Sequence, residues 1–256
     1  MAVSTGRLLC VEPKGPRGTA SPRTAAVWSV LRAELERAAR PLTVLDVGGG
    51  TGGFAVPLAT MGHRVTVIDA SPDALAALTR RAAEAGVADR VRAMQGDGDA
   101  LADLVPPESA DLVLCHSLLE IVDEPATVVK ALAASLRPGG AASAVVANRV
   151  AAVLARAVSG HLDVATALLT DSDGQAGARD TLRRRFDLDS ATRLLTAGGL
   201  VVEQTHGVRV VADLLPGAVL EGQSEALLAF ELATSSLSPY REMATQLHLF
   251  ARRPAG

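Results

Sequence analysis

The densest chemical signal in the chain is the run Val44-Leu45-Asp46-Val47-Gly48-Gly49-Gly50-Thr51-Gly52-Gly53. Glycine has no Cβ, so such a run can turn sharply and bring backbone N–H groups against a ligand. Gly48, Gly50 and Gly52 satisfy a G-x-G-x-G spacing, while Gly48, Gly50 and Gly53 satisfy the dinucleotide spacing G-x-G-x-x-G. The loop alone therefore predicts a nucleotide-containing cofactor without choosing which. Asp69, followed by Ala70, lies downstream at the distance where a carboxylate meets both hydroxyls of a ribose. Its charge opposes a 2′-phosphate. A third signal is Gly96-Asp97-Gly98-Asp99, where either Asp97 or Asp99 could accept from the exocyclic amine of adenine. The ligand spacing of a metal site is missing there, so no metal is expected.

Each of these groups follows a short β-branched run, and such runs alternate with longer amphipathic stretches. Strands are expected at 42–47, 64–69, 91–95, 110–115, 141–147, 200–204 and 247–252. Helices are expected at 24–40, 54–60, 71–85 and 125–136, with a helical stretch covering roughly 150–196. Ser71 and Pro72 supply an N-cap and a first helical position, and Arg137-Pro138-Gly139-Gly140 should end the fourth helix. Strand–helix repetition of this kind predicts an α/β fold, a doubly wound and mostly parallel sheet. Ligands of such sheets bind beyond the carboxyl ends of the strands, which is where the singled-out residues fall. The expected organisation is a leader and helix over 1–40 above the cofactor cleft. One domain follows over 41–256, with a helical substrate-side insertion around 150–196.

Composition narrows the class. The chain has 256 residues, enough for one sizeable core, and 48% are hydrophobic, which excludes wholesale disorder. Aromatics are only 2%, which argues against base-stacking platforms for nucleic acid. The net charge of −3 argues against a general basic coat, although residues 1–40 are basic and 41–150 acidic. Cys10 and Cys115 stand far apart and no Cys/His cluster exists, so neither a zinc site nor a disulfide framework is expected. A reducing, cytoplasmic compartment fits that cysteine usage, and no apolar run reaches membrane-spanning length.

Residues 42–149 resemble a class I S-adenosylmethionine-dependent methyltransferase. The resemblance rests on the glycine loop led by Asp46, the strand ending in Asp69, the segment Ala110-Asp111-Leu112-Val113-Leu114-Cys115-His116-Ser117-Leu118-Leu119-Glu120, and Leu136-Arg137-Pro138-Gly139-Gly140. It implies S-adenosyl-L-methionine as cofactor. It also implies a Rossmann-like sheet of seven strands, the last antiparallel and inserted between strands five and six. The cofactor-binding set it implies is Asp46, Gly48, Gly49, Gly50, Asp69, Ala70, Asp97, Gly98 and Asp99.

A narrower resemblance covers most of the chain. Cys115-His116-Ser117-Leu118-Leu119-Glu120, the triple glycine, and Gly207-Val208-Arg209-Val210 followed by Asp213 are similar to bacterial tRNA carboxymethoxyuridine methyltransferases, which esterify a carboxylate on the wobble uridine. That family implies Arg209 as the arginine meeting the acceptor carboxylate. It also implies Arg23 as the one meeting the cofactor carboxylate, and His116 as a neighbour of the cofactor. Asn148, after strand five, aligns with the acceptor side, and Arg183-Arg184-Arg185 is a candidate contact to RNA. A carboxylate acceptor is ionised at neutral pH, so methyl transfer by proximity needs no catalytic acid or base. The expected partner is tRNA; the alternative is a small-molecule acceptor.

Overall fold

The computed structural model of the chain describes residues 21–177, 180–215 and 224–255. The leader over 1–20, including Cys10, lies outside the described residues. The first helix, α1 (Ala25–Ala38), follows a short turn at Pro22–Thr24 and buries Val27, Trp28, Val30 and Leu31. Then come β1 (Thr43–Val47), α2 (Ala55–Thr60), β2 (Arg64–Asp69), α3 (Pro72–Glu84), β3 (Val91–Gln95), the single turn α4 (Leu101–Leu104) and β4 (Ala110–His116). The second half holds α5 (Pro125–Ser135), β5 (Leu136–Ala147), α6 (Arg149–Val158), α7 (Leu162–Thr170), α8 (Leu188–Ala197), β6 (Val201–Val208), α9 (Ser224–Thr234), α10 (Tyr240–Met243) and β7 (Gln246–Arg252).

The seven strands form one sheet in the order β3-β2-β1-β4-β5-β7-β6. Strands β1 to β5 pair in parallel, and β7 runs antiparallel to both of its neighbours, β5 and β6. This is the doubly wound arrangement expected from the sequence, with the strand order reversing at β1 and β4. Both faces of the sheet are covered. On one, Val44, Val65, Phe250 and Val145 pack with Val27, Leu31, Leu58 and Leu78 from α1, α2 and α3. On the other, Val113, Ala144 and Leu249 pack with Val129, Leu132 and Leu195 from α5 and α8.

Local chemistry accounts for the element ends. Ser71 Oγ accepts from the Ala74 N–H at 3.2 Å and Pro72 opens α3, whose Leu75, Leu78 and Ala82 then recur on one buried face. Asn148 caps α6 in the same way, its Oδ1 accepting from the Val150 N–H at 3.0 Å. At the amino edge, the Asp111 carboxylate takes Arg40, Arg137 and the Thr43 N–H, which holds it well below the usual carboxylate range despite the opposing effect of burial. Arg137 of the Arg-Pro-Gly-Gly signature is thus part of a brace remote from the ligand edge.

The structure departs from the expected elements in four places. Helix α5 ends at Ser135, and the Arg-Pro-Gly-Gly residues fall within β5, which breaks register against β4 between Ala110 and Leu112. The stretch expected to be helical over 150–196 is α6 and α7, then, among the described residues, irregular backbone up to Asp187, then α8. Strand β6 runs on to Val208, so Gly207 and Val208 belong to it and do not follow it. Helices α9 and α10 have no counterpart in the sequence expectation.

Candidate active site

The carboxyl ends of β1, β2, β3 and β4 enclose a cavity of about 300 Å³. Its wall includes Gly48, Asp69, Ala70, Asp97, Gly98 and Asp99, all singled out in the sequence as cofactor residues, together with Leu118, Ile121 and Val122, which had no assigned role, and Arg183, which the sequence offered as an RNA contact. Gly48 and Gly50 have φ of 73° and 54°, the left-handed region that glycine enters without strain. The Gly48 N–H donates to Ile68 O at 2.8 Å, pinning the loop to β2. Gly49 is needed for closeness: a Cβ there would lie 2.5 Å from the carboxyl carbon of Asp46.

The loop also resolves its own ambiguity. Gly52 has φ of 79° and a Cβ on it would meet Leu78 Cδ1 at 2.2 Å, whereas a Cβ on Gly53 would meet nothing within 4 Å. The structure therefore requires the G-x-G-x-G spacing and leaves the last glycine of the dinucleotide spacing without a structural demand.

Asp69 closes β2 with both oxygens engaged. Oδ2 accepts from the Gly50 N–H at 2.8 Å and Oδ1 from the Ser71 N–H at 2.9 Å. Each carboxylate oxygen retains a further lone pair, so the group can tie the glycine loop to α3 and still accept from a ribose. Asp46 lies beneath the loop, 2% exposed, and burial followed by the Asp69 charge pushes its pKa up to about 7. Of the two later candidates, Asp99 accepts at both oxygens from the Asp123 and Glu124 N–H groups, holding the loop after β4. Asp97 accepts from the Asp99 N–H through Oδ1 alone, which leaves Oδ2 for a ligand.

His116 ends β4. Its Nε2 lies 2.8 Å from Ser143 Oγ, its ring meets the edge of Phe54, and Phe54 stacks on Trp28 with ring centroids 5.1 Å apart. Burial pushes the His116 pKa down to about 3, so the ring is neutral. Next to it, Ser117 adopts φ of 56° and its Oγ accepts from Gln246 Nε2 at 2.7 Å. Glu120, named in the same motif without a role, is 2% exposed, and burial raises its carboxyl to about 7.

Beyond β6 a second set of groups assembles. Arg209 has φ of 60°, an uncommon conformation for a side chain with a Cβ. It is held because Val210, Val211 and Ala212 all donate their N–H groups to the buried Glu231 carboxylate of α9, at 2.8, 2.9 and 2.9 Å. Arg209 Nη1 reaches Asp213 Oδ2 at 3.2 Å, and Arg23 Nη2 reaches Asp213 Oδ1 at 3.4 Å. The two arginines expected to meet two different ligand carboxylates thus converge on one carboxylate of the chain. Asp213 also borders a second, largely apolar cavity of about 780 Å³, lined by Leu154, Phe230, Tyr240 and Met243.

The partners of Asn148 and of the arginine run differ from the sequence expectation. Asn148 borders this cavity, but its Nδ2 donates to Glu242 O and Ala244 O, both at 2.7 Å, and its Oδ1 caps α6. Its amide is fully occupied by backbone, so Asn148 positions α6 and has no donor left for an acceptor. The run Arg183-Arg184-Arg185 is not a basic face either. Arg183 pairs with Asp123, Arg184 donates to the carbonyls of Leu119, Val122 and Asp123, and Arg185 pairs with Asp180.

The residues present fit S-adenosylmethionine. A glycine loop, a ribose-accepting carboxylate and an apolar slot formed by Ile68, Ala70, Leu118 and Val122 share one cavity, and a Cβ on Gly98 would stand 3.1 Å from Leu118 Cδ2. A family model described as a methyltransferase domain matches residues 44–140. The chain belongs to the S-adenosylmethionine-dependent methyltransferases and uses that cofactor. It is 31% identical to the tRNA 5-carboxymethoxyuridine methyltransferase of Escherichia coli K12 over 238 residues, 91% of this chain and 88% of that protein. It is 37% identical to a ubiquinone biosynthesis O-methyltransferase of Xanthomonas euvesicatoria over 117 residues, 46% of this chain and 48% of the other. Among solved structures, an S-adenosylmethionine-dependent methyltransferase from Mesorhizobium loti superposes with a TM-score of 0.62 at 22% identity, covering 89% of this chain and 98% of that one. Among the described residues no group of histidines, cysteines and acids could hold a metal, and no helix is long and apolar enough to cross a membrane.

Proposed function

We propose that the chain esterifies a carboxylate, and that the acceptor is the carboxymethoxy group of a modified uridine in tRNA. The observation that carries this reading is the pair of guanidiniums, Arg23 and Arg209, gathered around the Asp213 carboxylate at the ligand edge of the sheet. Arginines that converge on a protein carboxylate can exchange it for the carboxylates of ligands, and a guanidinium binds such a group through two parallel bonds. The similarity to the Escherichia coli enzyme, which runs along nearly the whole chain, supports the tRNA acceptor.

The cofactor, when bound, supplies an electrophilic methyl on a sulfonium. The work left to the protein is to orient and to exclude water. On this reading Asp69 holds the ribose, Asp97 the adenine amine, and the backbone of Gly48 to Gly50 the amino-acid end, with Arg23 on its carboxylate. Arg209 orients the acceptor carboxylate. No group needs to remove a proton, because the attacking oxygen is already anionic at neutral pH.

The second cavity supports a second reading, a small-molecule acceptor with an apolar body. Its wall is dominated by side chains such as Leu154, Phe230 and Met243, and the neutralised arginine run removes one surface that RNA could use. The deciding experiment incubates the purified protein with S-adenosylmethionine and tRNA carrying carboxymethoxyuridine, then digests the tRNA and measures nucleosides by mass spectrometry. A base-labile methyl ester on that uridine is the expected result. Its absence, alongside methylation of small carboxylic acids in an extract, would replace the tRNA reading with the second.

A further inference from the structure

Three histidines share one row of the sheet. Cross-strand pairing sets His116 of β4 opposite Val145 of β5, Val145 opposite His248 of β7, and His248 opposite His206 of β6. Side chains two residues apart on a strand share a face, so Ser143 projects beside Val145 into the same row. Its hydroxyl spans the gap: Oγ is 2.8 Å from His116 Nε2 and 2.9 Å from His248 Nε2. Beyond it, the rings of His248 and His206 stack at 5.5 Å. Ser143 and His248 are fully buried, and Nδ1 of all three histidines is buried without a partner.

The serine has one proton to donate. With both imidazoles neutral, as burial dictates for His116 and His248, the satisfied arrangement has one Nε2 donating to Oγ and the other accepting from it. Two polarities are then open. In one, His116 donates and His248 carries its proton on Nδ1, leaving a bare N–H donor deep in the core. In the other, His248 donates through Nε2, the serine donates to His116, and the His116 proton sits on Nδ1. An orphaned N–H is costlier than an orphaned acceptor nitrogen, and orphaned buried N–H groups are rare. The second polarity moves the needy donor from His248, which is fully buried, to His116, which is only partly buried at the carboxyl end of β4; its Nδ1 is enclosed there, so a ligand that displaces its cover would satisfy it.

We propose that Ser143 and His248 are positioning residues that hold His116 as the Nδ1–H tautomer, a neutral donor to an oxygen of the ligand bound at the carboxyl edge of β4. The inference rests on the reading that cofactor and acceptor meet at that edge. Neutrality matters there, because an imidazolium would repel a sulfonium cofactor, while a neutral N–H can still orient an oxygen.

The test is long-range proton–nitrogen correlation NMR on nitrogen-15-labelled protein, with and without S-adenosylhomocysteine. This reads the tautomer directly and does not depend on the identity of the acceptor. His116 is expected to show a protonated Nδ1 and an unprotonated Nε2. Ser143→Ala is expected to shift His116 toward the Nε2–H tautomer and lower kcat about tenfold, the scale of one hydrogen bond. The affinity for S-adenosylhomocysteine should move far less. Ser143→Thr, which restores the hydroxyl, should recover both the tautomer and the rate. A wild-type His116 protonated at Nε2, or a tautomer unchanged in Ser143→Ala, overturns the proposal. If Ser143→Ala does not fold, the wild-type spectrum and Ser143→Thr still decide it. A protein with the expected tautomer that fails to methylate the tRNA would refute the acceptor assignment alone.

Discussion

Asp69 ties the Gly50 and Ser71 amides together and lines the cavity at the strand ends, and on the proposed reading it also holds the ribose. Asp69→Ala is therefore expected to weaken S-adenosylmethionine binding by about 1.5–3 kcal/mol, read by calorimetry, and also to lower the melting temperature. Unchanged affinity with a lowered melting temperature would make Asp69 a loop tie only. Asp46 makes a pH-dependent statement. Burial raises its carboxyl to about 7, above its ordinary unfolded range, so its contribution is most favourable at low pH and is lost as pH rises through 7. Asp46→Asn, which cannot ionise, should unfold in urea at higher free energy than wild type at pH 8, by about 2 kcal/mol or more, with the gap narrowing below pH 7 and closing near the ordinary carboxyl pKa of about 4. A gap independent of pH would contradict this. Arg209→Lys keeps the charge but loses the fork, so ester formation should fall on the order of 30- to 1000-fold in single turnover with cofactor affinity nearly intact. A change within about twofold would reduce Arg209 to a surface ion pair.

Among the elements, the glycine loop gives the sharpest contrast. Gly52→Ala must place a methyl against Leu78 in a left-handed backbone, and should cost about 2–4 kcal/mol in denaturant unfolding. Gly53→Ala meets open space and should stay within about 0.5 kcal/mol. Equal effects would mean that the loop does not discriminate the two spacings. Strands β1, β2 and β4 were legible because Val, Leu and Ile dominate them and a turn signal follows, and the residues that line the cavity at the strand ends were legible because they follow those strands directly. The end of β6 was not, since His206 and Gly207 interrupt the pattern; only the pairing with β7 extends the strand to Val208. Helix α9 carries no clear helical signal because its apolar residues are not confined to one face: Leu227 is buried while Phe230 and Leu232 are exposed. The acceptor side was the less readable half of the site for a topological reason. Ser143, His248 and Glu231 stand far apart in sequence, and the insertion of β7 between β5 and β6 brings the first two together.

Across the whole molecule, arginines are spent on the fold. Arg40 and Arg137 hold Asp111, Arg252 holds Glu34 and Glu203, and Arg184 ties three carbonyls of the loop after β4. With a net charge of −3, attraction to tRNA must come from a limited set of phosphate contacts, and each contact releases counterions on binding. Binding of carboxymethoxyuridine tRNA should therefore weaken steeply with salt, roughly tenfold per tenfold rise in salt for each phosphate contacted. Arg184→Ala should leave that slope unchanged while lowering stability by about 2 kcal/mol, measured by denaturant unfolding. A flat salt response would favour the small-molecule acceptor, and a shallower slope in Arg184→Ala would return the arginine run to the RNA surface.

The placement of Asp213 between Arg23 and Arg209 bears on how a turnover ends. On the proposed reaction the acceptor arrives as an anion and leaves as a neutral ester, so methylation cancels the charge by which it was held. Asp213 keeps its own charge throughout. Once the ester has formed, Asp213 is the stronger competitor for Arg209, and the ion pair re-forms as the product departs. The same chemistry that completes the modification thus lowers the enzyme's grip on it, and an already modified acceptor is poorly retained at high product levels.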